Sequence, residues 1–201
     1  EECKRVMPAL AAIREATALP ISIDTYHAAV AEAALAEGAD LVNDIWGLRH
    51  DERMARVVAR TGAPLIAMHN QRQRPFGGDV IRDIAAGFSA TLEIAHDSGI
   101  EPENIILDPG FGFGWAVPHN LEMLRRLPEL WEFDLPLLLG VSRKSTIGAV
   151  TGAPVEERLP GTAAAVTLAI VGGADIVRVH DVRAMVSVTK MADAIARGWT
   201  E

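Results

Sequence analysis

The regular alternation of short apolar segments with longer helical patterns constrains the fold of this chain more than any other feature of its sequence. Strands are predicted at 20–25, 40–45, 64–69, 105–108, 137–142 and 176–180, and helices at 26–37, 51–60, 80–98, 119–130, 162–171 and 182–197. A further helical pattern, made by Val6, Leu10 and Ile13, precedes the first strand. Apolar strands that do not alternate with polar residues are typical of a parallel sheet covered by helices on both faces. The sequence therefore predicts an α/β fold.

The six strand–helix units fit two architectures, an open doubly wound sheet and a closed barrel of eight units. Polar side chains at the ends of all the predicted strands favour the (β/α)8 TIM-barrel class, because a doubly wound sheet concentrates its site at one switch point. A complete barrel takes ~250 residues, so about six of its eight units are expected here, in a single domain spanning 1–201. The chain opens without a methionine and enters a helical pattern at once, so the first two units are expected to be missing from its amino end.

Composition excludes several classes of partner. The net charge of −8 and the isoelectric point near 5.3 argue against binding to nucleic acid or to an anionic membrane surface. The longest run of small apolar residues, 163–174, is too short to span a membrane. A single cysteine, Cys3, allows no internal disulfide, and a cytoplasmic location is expected.

The segment 104–115 carries the most informative polar residue of the chain. A short apolar run ends in Asp108, and the following Pro109, Gly110, Gly112 and Gly114 form a loop whose backbone can approach a ligand closely. A carboxylate buried at a strand end needs donors, such as an arginine or the N–H edge of a 2-aminopyrimidinone ring. The alternative is that Asp108 only caps a turn. A phosphate-binding glycine loop is disfavoured, because the spacing is G-x-G-x-G and Asp108 would repel phosphate.

Similar polar groups end every predicted strand. They are Asp24, Asn43, Asp44, His69, Asp108, Ser142, Lys144, Arg178 and His180, and the apolar Met68 stands beside His69. Each has an ordinary structural explanation, but a sheet that needed only stability would not bury this much charge at one end. Asn43 and Asp108 suit the polar edge of a heterocycle, while Arg178, His180 and Lys144 suit a diphosphate. No spacing supports a zinc site, and no G-x-S-x-G motif supports a serine hydrolase.

Several motifs together resemble the dihydropteroate synthase family over the whole chain. They are Ile23-Asp24-Thr25, Asn43-Asp44, Met68-His69-Asn70, Asp108-Pro-Gly-Phe-Gly-Phe-Gly, His119-Asn120-Leu121, Ser142-Arg143-Lys144-Ser145, Gly161-Thr162 and Arg178-Val179-His180-Asp181. They occur in the order and spacing of the family. The resemblance implies a (β/α)8 barrel that joins 6-hydroxymethyl-7,8-dihydropterin diphosphate to p-aminobenzoate and releases diphosphate, in folate biosynthesis.

The resemblance also assigns roles to individual residues. The pterin would be held by Asp24, Asn43, Ile45, Met68, Asp108 and Lys144. The p-aminobenzoate pocket, which sulfonamides also occupy, would be lined by Phe113, Lys144 and Ser145. The diphosphate would be held by Arg178 and His180 with Mg²⁺. The residues expected to carry the reaction are Lys144, Asp108 and Arg178. The metal ligand is unknown, because the family's usual asparagine lies in the motifs that are missing at the amino end. A homodimer is expected on the same ground.

Two departures from the family pattern stand inside the matched motifs. Trp115 and Ala116 follow the glycine loop where the family usually has Lys and often Thr, and Thr146 stands where it often has Phe. Two alternatives therefore remain open, a pterin-binding methyltransferase and a non-catalytic pterin-binding remnant. The Ser-Arg-Lys and Arg-Val-His motifs disfavour the methyltransferase, because methyl transfer releases no diphosphate.

Overall fold

The computed structural model describes residues 1–199 and contains parallel strands that alternate with helices. In chain order the main elements are α1 (Glu2–Ala16), β1 (Ser22–Asp24), α2 (Ala28–Ala36), β2 (Leu41–Asp44), α3 (Arg53–Thr61), β3 (Leu65–Met68), α4 (Val80–Asp97), β4 (Ile105–Asp108), α5 (Val117–Arg125), β5 (Leu138–Leu139), α6 (Ser145–Thr151), α7 (Leu159–Val171), β6 (Ile176–Val177) and α8 (Val182–Arg197). Short 3₁₀ helices lie at Pro102–Asn104, Leu127–Phe133 and Val155–Glu157. No helix among the described residues is long and apolar enough to cross a membrane.

The chain forms two compact units. The first comprises Glu1–Asn70 and Ala86–Leu107, and the second comprises Gln71–Ala85 together with the described residues from Asp108 onward.

The first unit is built on a four-stranded sheet of order β1-β2-β3-β4. β1 pairs with β2, and β2 with β3, in parallel, so that Asp24 lies beside Asn43, and Asn43 beside Ile66. All four residues of β3 are buried, as are the helix residues Ala28, Ala31 and Ala34 of α2. Burying each large aliphatic side chain contributes about 1.5–3 kcal/mol. The core of this unit therefore fixes the ends of its strands.

The second unit contains a two-stranded parallel sheet. β5 pairs with β6, with Leu138 beside Ile176 and Leu139 beside Val177. Among the helices of this unit, α7 packs against α8, and α5 packs against α6 and α7. The buried residues of β5, Leu138 and Leu139, fix the segment that leads to the Ser-Arg-Lys motif.

The predicted α/β class with parallel strands is confirmed, whereas several predicted element bounds are wrong. The helix predicted at 119–130 ends at Arg125, and a 3₁₀ helix follows, because Pro128 has no N–H with which to continue an α-helix. The strands predicted at 137–142 and 176–180 shorten to two residues each, since the His180 N–H donates to the Ser142 hydroxyl and not to a backbone carbonyl of the neighbouring strand. α6 was not predicted, and the strands form sheets of four and two rather than one.

Candidate active site

Asp24 and Asn43 occupy neighbouring positions at the ends of β1 and β2 in the first unit. Their backbones are paired in register, with Asn43 buried and Asp24 exposed. Ile45 follows β2 and is half-buried, and Met68 is buried at the end of β3. The side-chain amide of Asn70 donates to the Ile45 carbonyl oxygen at 3.2 Å. The first unit therefore places an amide, a carboxylate and two apolar side chains at the ends of its strands.

Asp44 lies at the same sheet edge but is committed to the backbone. Its two carboxylate oxygens accept the N–H groups of Trp46 and Leu48, at 2.9 and 2.7 Å. Leu48 has φ = 66°, a left-handed conformation that these bonds help to hold. Burial raises the pKa of Asp44, and the two N–H donors oppose that effect. Asp44 shapes the turn after β2.

His69 packs against α4 inside the first unit. A Cβ built at Gly87 of α4 would lie 1.9 Å from the Nδ1 atom of the His69 ring. The ring is 1% exposed. His69 therefore occupies the place of a core histidine at the end of β3.

Asp108 both caps the turn after β4 and lies beside an arginine. Its Oδ1 accepts the Gly110 N–H at 2.8 Å, which closes the turn after β4, and its Oδ2 lies 3.4 Å from a guanidinium nitrogen of Arg178. The Asp108 side chain is 2% exposed, whereas that of Arg178 is 39% exposed. The carboxylate is thus a buried anion beside a cation that reaches solvent.

The glycine loop after Asp108 is held by a residue to which the sequence assigned no role. Asn120 of α5 accepts the Gly112 N–H at 2.7 Å and donates its side-chain amide to the carbonyls of Trp115 and Ala116. Gly112 has φ = 82°, and a Cβ there would lie 2.8 Å from Cδ of Lys144. The positive φ favours glycine at this position, and the Lys144 side chain crosses the loop there.

Lys144 ends on the glycine loop. Its ammonium group contacts the carbonyl oxygen of Phe111 and lies 4.7 Å from the centroid of the Phe113 ring. Burial lowers the pKa of Lys144 to about 8; Asp108 opposes this shift, while Arg178 and Arg72 add to it. Lys144 is therefore a desolvated cation that remains mostly protonated at neutral pH.

Ser145 follows Lys144 as the first residue of α6, and it is exposed. The segment before it is fixed by its neighbours. Arg143 has φ = 54°; its backbone N–H donates to the buried Thr162 hydroxyl at 3.0 Å, and its guanidinium makes two hydrogen bonds to Asp181. Arg158 donates to the Arg143 carbonyl at 3.0 Å. This bracing explains how Lys144 can be held in one orientation.

His180 and Arg178 lie two residues apart on the segment that follows β6. The Nδ1 atom of His180 lies 2.9 Å from the Ser142 hydroxyl, which also accepts the His180 backbone N–H at 3.2 Å. A serine hydroxyl that accepts one bond can donate its proton to Nδ1, which leaves Nε2 as a donor. Ser142, predicted at a strand end, thus orients His180.

The structure brings four of the predicted residues of the second unit together, namely Asp108, Arg178, Lys144 and Phe113. It adds Arg72, whose guanidinium carbon lies 5.0 Å from the centroid of the Phe113 ring. Among residues 1–199 there is no group of three His, Cys, Asp or Glu side chains that could hold a metal ion.

Comparison with known proteins shows the family. The family model described as "Pterin binding enzyme" matches residues 1–180. The chain belongs to the pterin-binding enzyme family. Its relatives include the dihydropteroate synthase of Clostridium beijerinckii, 46% identical, with 98% of this chain and 73% of that protein covered. The Bacillus subtilis dihydropteroate synthase is 43% identical, with 97% of this chain and 68% of that protein covered.

Solved structures of pterin-binding enzymes share the fold. The Clostridium difficile dihydropteroate synthase, crystallised in the presence of pteroic acid, has a TM-score of 0.93 at 45% identity and covers 96% of this chain and 74% of its own. The Yersinia pestis enzyme in complex with a sulfonamide drug has a TM-score of 0.91 at 36% identity, covering 96% and 73%. The predicted fold class, the TIM barrel, is confirmed by these likenesses.

Proposed function

We propose that this pterin-binding protein is a dihydropteroate synthase, which condenses 6-hydroxymethyl-7,8-dihydropterin diphosphate with p-aminobenzoate and releases diphosphate in folate biosynthesis. The observation that carries the proposal is the cluster of the second unit, in which the buried Asp108 faces Arg178 and Lys144 lies on Phe113. The relatives named above, which cover nearly the whole chain, support it.

The chemistry requires a grip on the pterin ring and a place for the leaving anion. Asp108, as a buried carboxylate, can accept two N–H bonds from the ring's amino and lactam edge, and Lys144 can donate to an acceptor of the same ring. Arg178 offers a guanidinium fork that matches phosphate oxygens, and His180 offers Nε2. Stabilising the departing diphosphate is the main electrostatic task. The aniline nitrogen is already nucleophilic, so positioning replaces a strong base.

Four residues of the first unit are proposed as pterin-binding residues because the family resemblance assigns each of them that role. Asn43 carries both a donor and an acceptor, Asp24 carries a further acceptor, and Ile45 and Met68 offer apolar surface to the ring.

p-Aminobenzoate would lie against Phe113, Lys144 and Ser145. The Phe113 ring is half-buried and lies 4.7 Å from the Lys144 ammonium group, and Ser145, the next residue in the chain after Lys144, is exposed. The Yersinia pestis relative binds a sulfonamide drug, which supports the proposal that sulfonamides compete with p-aminobenzoate here.

Mg²⁺ is proposed as a companion of the diphosphate rather than as an ion held by this chain alone. The described residues offer no cluster of three metal-binding side chains, so they do not fit a self-contained site. Mg²⁺ usually takes one or two carboxylates and completes its shell with substrate phosphates and water. Titration of the protein with diphosphate, with and without Mg²⁺, tests the proposal. Identical binding curves would show that Mg²⁺ does not take part in diphosphate binding.

Three broader assignments belong to the same proposal: a single pterin-binding domain, a homodimer and a cytoplasmic location. Dimer contacts are proposed on the carboxyl-terminal helices, where Leu168, Val171, Met191 and Ile195 are exposed on α7 and α8. One cooperative unfolding transition is expected for a single domain. Sedimentation of the wild type and of Met191→Glu tests the dimer, and identical monomeric profiles would contradict it.

The decisive assay measures release of diphosphate from the pterin substrate. Release that requires p-aminobenzoate, with dihydropteroate formed in equal amount, identifies the synthase. Lys144→Gln should abolish this turnover in a folded protein, whereas Lys190→Gln serves as the matched control on exposed α8. Pterin binding without release would instead favour the non-catalytic remnant, and methyl transfer to a corrinoid protein would favour the methyltransferase.

A further inference from the structure

The segment 71–79, which lies between β3 and α4, is anchored on the glycine loop. The Gln71 N–H donates to the Phe113 carbonyl oxygen at 3.1 Å. A Cβ at Gly114 would lie 2.5 Å from the backbone nitrogen of Arg72, so the two backbones touch where only glycine fits. This anchor involves the main chain and therefore does not depend on any one side chain.

A second anchor lies farther along the same segment and is aromatic. The Phe76 ring stacks on His119 of α5, with centroids 4.3 Å apart and planes at 28°, and meets Trp115 edge-on at 6.3 Å. Trp115 is one of the positions at which this chain departs from the usual pattern of dihydropteroate synthases. Aromatic pairs in these geometries stabilise a contact beyond the area they bury.

Arg72 lies between these two anchored parts of the segment and contacts the Phe113 ring. The guanidinium carbon of Arg72 lies 5.0 Å from the Phe113 centroid, and the Lys144 ammonium lies 4.7 Å from the same centroid. Both distances are within the range of cation–π attraction. One half-buried ring therefore contacts two cations from different segments of the second unit.

We propose that Arg72 is a positioning residue, which holds the Phe113 ring in place beside Lys144 so that the ring can form a wall of the second-substrate pocket. The pocket itself rests on the proposed synthase function. The contact between Arg72, Phe113 and Lys144 does not, because it is a property of the protein without substrate.

The electrostatic environment of Lys144 gives this inference a readout that needs no turnover. Three charged groups influence Lys144: Asp108 at the end of β4, Arg178 after β6, and Arg72 in the anchored segment. Burial is the largest cause of the lowered pKa of Lys144, and Arg72 adds to it. Removing the Arg72 charge therefore raises the Lys144 pKa from about 8 toward its ordinary value of 10.5.

The chain has three lysines, Lys4, Lys144 and Lys190, so lysine labelled with ¹³C at Cε gives a spectrum that three single variants assign. The titration compares the wild type with Arg72→Met and with Arg74→Met, a matched change of an exposed arginine in the same segment. We expect an upward shift of the Lys144 midpoint in Arg72→Met and none in Arg74→Met. An unchanged Lys144 midpoint in Arg72→Met, or equal shifts in both variants, overturns the proposal.

Kinetics supply the second readout. Arg72→Met should raise KM for p-aminobenzoate roughly two- to fivefold, the range that one cation–π contact supplies, while KM for the pterin substrate stays constant. Arg72→Lys should restore the wild-type value, because an ammonium can also lie on the ring. Equal changes for both substrates, or no rescue by lysine, would contradict positioning through Phe113. A wild type without turnover would contradict the proposed function but would leave the lysine titration as the test of Arg72.

Discussion

Two buried aspartates at strand ends show how differently the same residue type can be used. Both carboxylate oxygens of Asp44 accept backbone N–H groups of the turn after β2. One oxygen of Asp108 accepts the Gly110 N–H, and the other lies beside the Arg178 guanidinium. The first arrangement holds a turn, and the second leaves a buried anion beside a partly exposed cation. We therefore expect substitutions of Asp44 to affect mainly stability and substitutions of Asp108 to affect mainly ligand binding.

Asp44→Asn should lower the free energy of unfolding by about 1–3 kcal/mol, the usual cost of a buried donor left unpaired. The amide nitrogen that replaces one oxygen cannot accept the N–H of Trp46 or Leu48. Urea denaturation measures the loss, with the exposed Asp97→Asn as a matched control expected to stay within about 0.5 kcal/mol of the wild type. Equal stability of the two variants would contradict the structural role.

Lys144→Met should leave the protein at least as stable as the wild type at pH 7 while abolishing turnover. The folded state lowers the pKa of Lys144 from 10.5 to about 8, so between these values the unfolded state binds more protons. The stability of the wild type should therefore rise with pH across this window, and the advantage of the Met variant should shrink. Urea denaturation at several pH values checks the trend, with Lys190→Met as the control. A growing advantage of Lys144→Met with pH would reverse the sign and refute the argument.

Individual elements show how much of the fold can be predicted from the pattern of residues. β4 matches its predicted bounds, because its apolar run and the Asp-Pro-Gly that ends it leave little freedom. β5 and β6 shorten to two residues each. The Arg178 N–H still donates to the Leu139 carbonyl oxygen, but the His180 N–H donates to the Ser142 hydroxyl instead of to a backbone carbonyl. Local pattern does not encode where pairing stops. α6 escaped prediction because its seven residues are too few for a helical period to stand out.

The candidate site is likewise predictable only in part. Strand-end polar residues could be identified because parallel strands end at one edge of a sheet. Asn120 and Arg72 could not, because each acts through long-range contacts with the glycine loop, from a helix and from a segment with no periodic pattern. The signals available were the quoted His-Asn-Leu motif for Asn120 and the close spacing of arginines for Arg72.

At the scale of an element, α4 can pack against the His69 ring because Gly87 has no side chain. Gly87→Ala should destabilise the protein, because its Cβ would meet the His69 ring at 1.9 Å. Helix propensity alone predicts the opposite, a gain of about 1 kcal/mol. Thermal denaturation separates the two, and in a His69→Ala background the same change should recover part of the gain. Stabilisation by Gly87→Ala in the wild type would show that the ring moves aside freely.

The whole molecule combines an acidic surface with a local group of cations. Its net charge is −8, yet the second unit holds three cations close enough to influence one another. In addition to burial, Arg178 and Arg72 both lower the pKa of the Lys144 ammonium group. A general attraction for polyanions is therefore not expected, whereas a small anion can be bound where the cations gather.

The central claim is that Asp108 receives the polar edge of a pterin. Calorimetric titration of the protein with 6-hydroxymethylpterin tests it most directly, on the wild type, on Asp108→Asn and on Asp97→Asn. Losing one hydrogen bond to a charged group costs about 1.5–3 kcal/mol, so Asp108→Asn should bind at least about tenfold more weakly while Asp97→Asn binds like the wild type. Pterin affinity in a folded Asp108→Asn protein equal to that of the wild type would contradict the account.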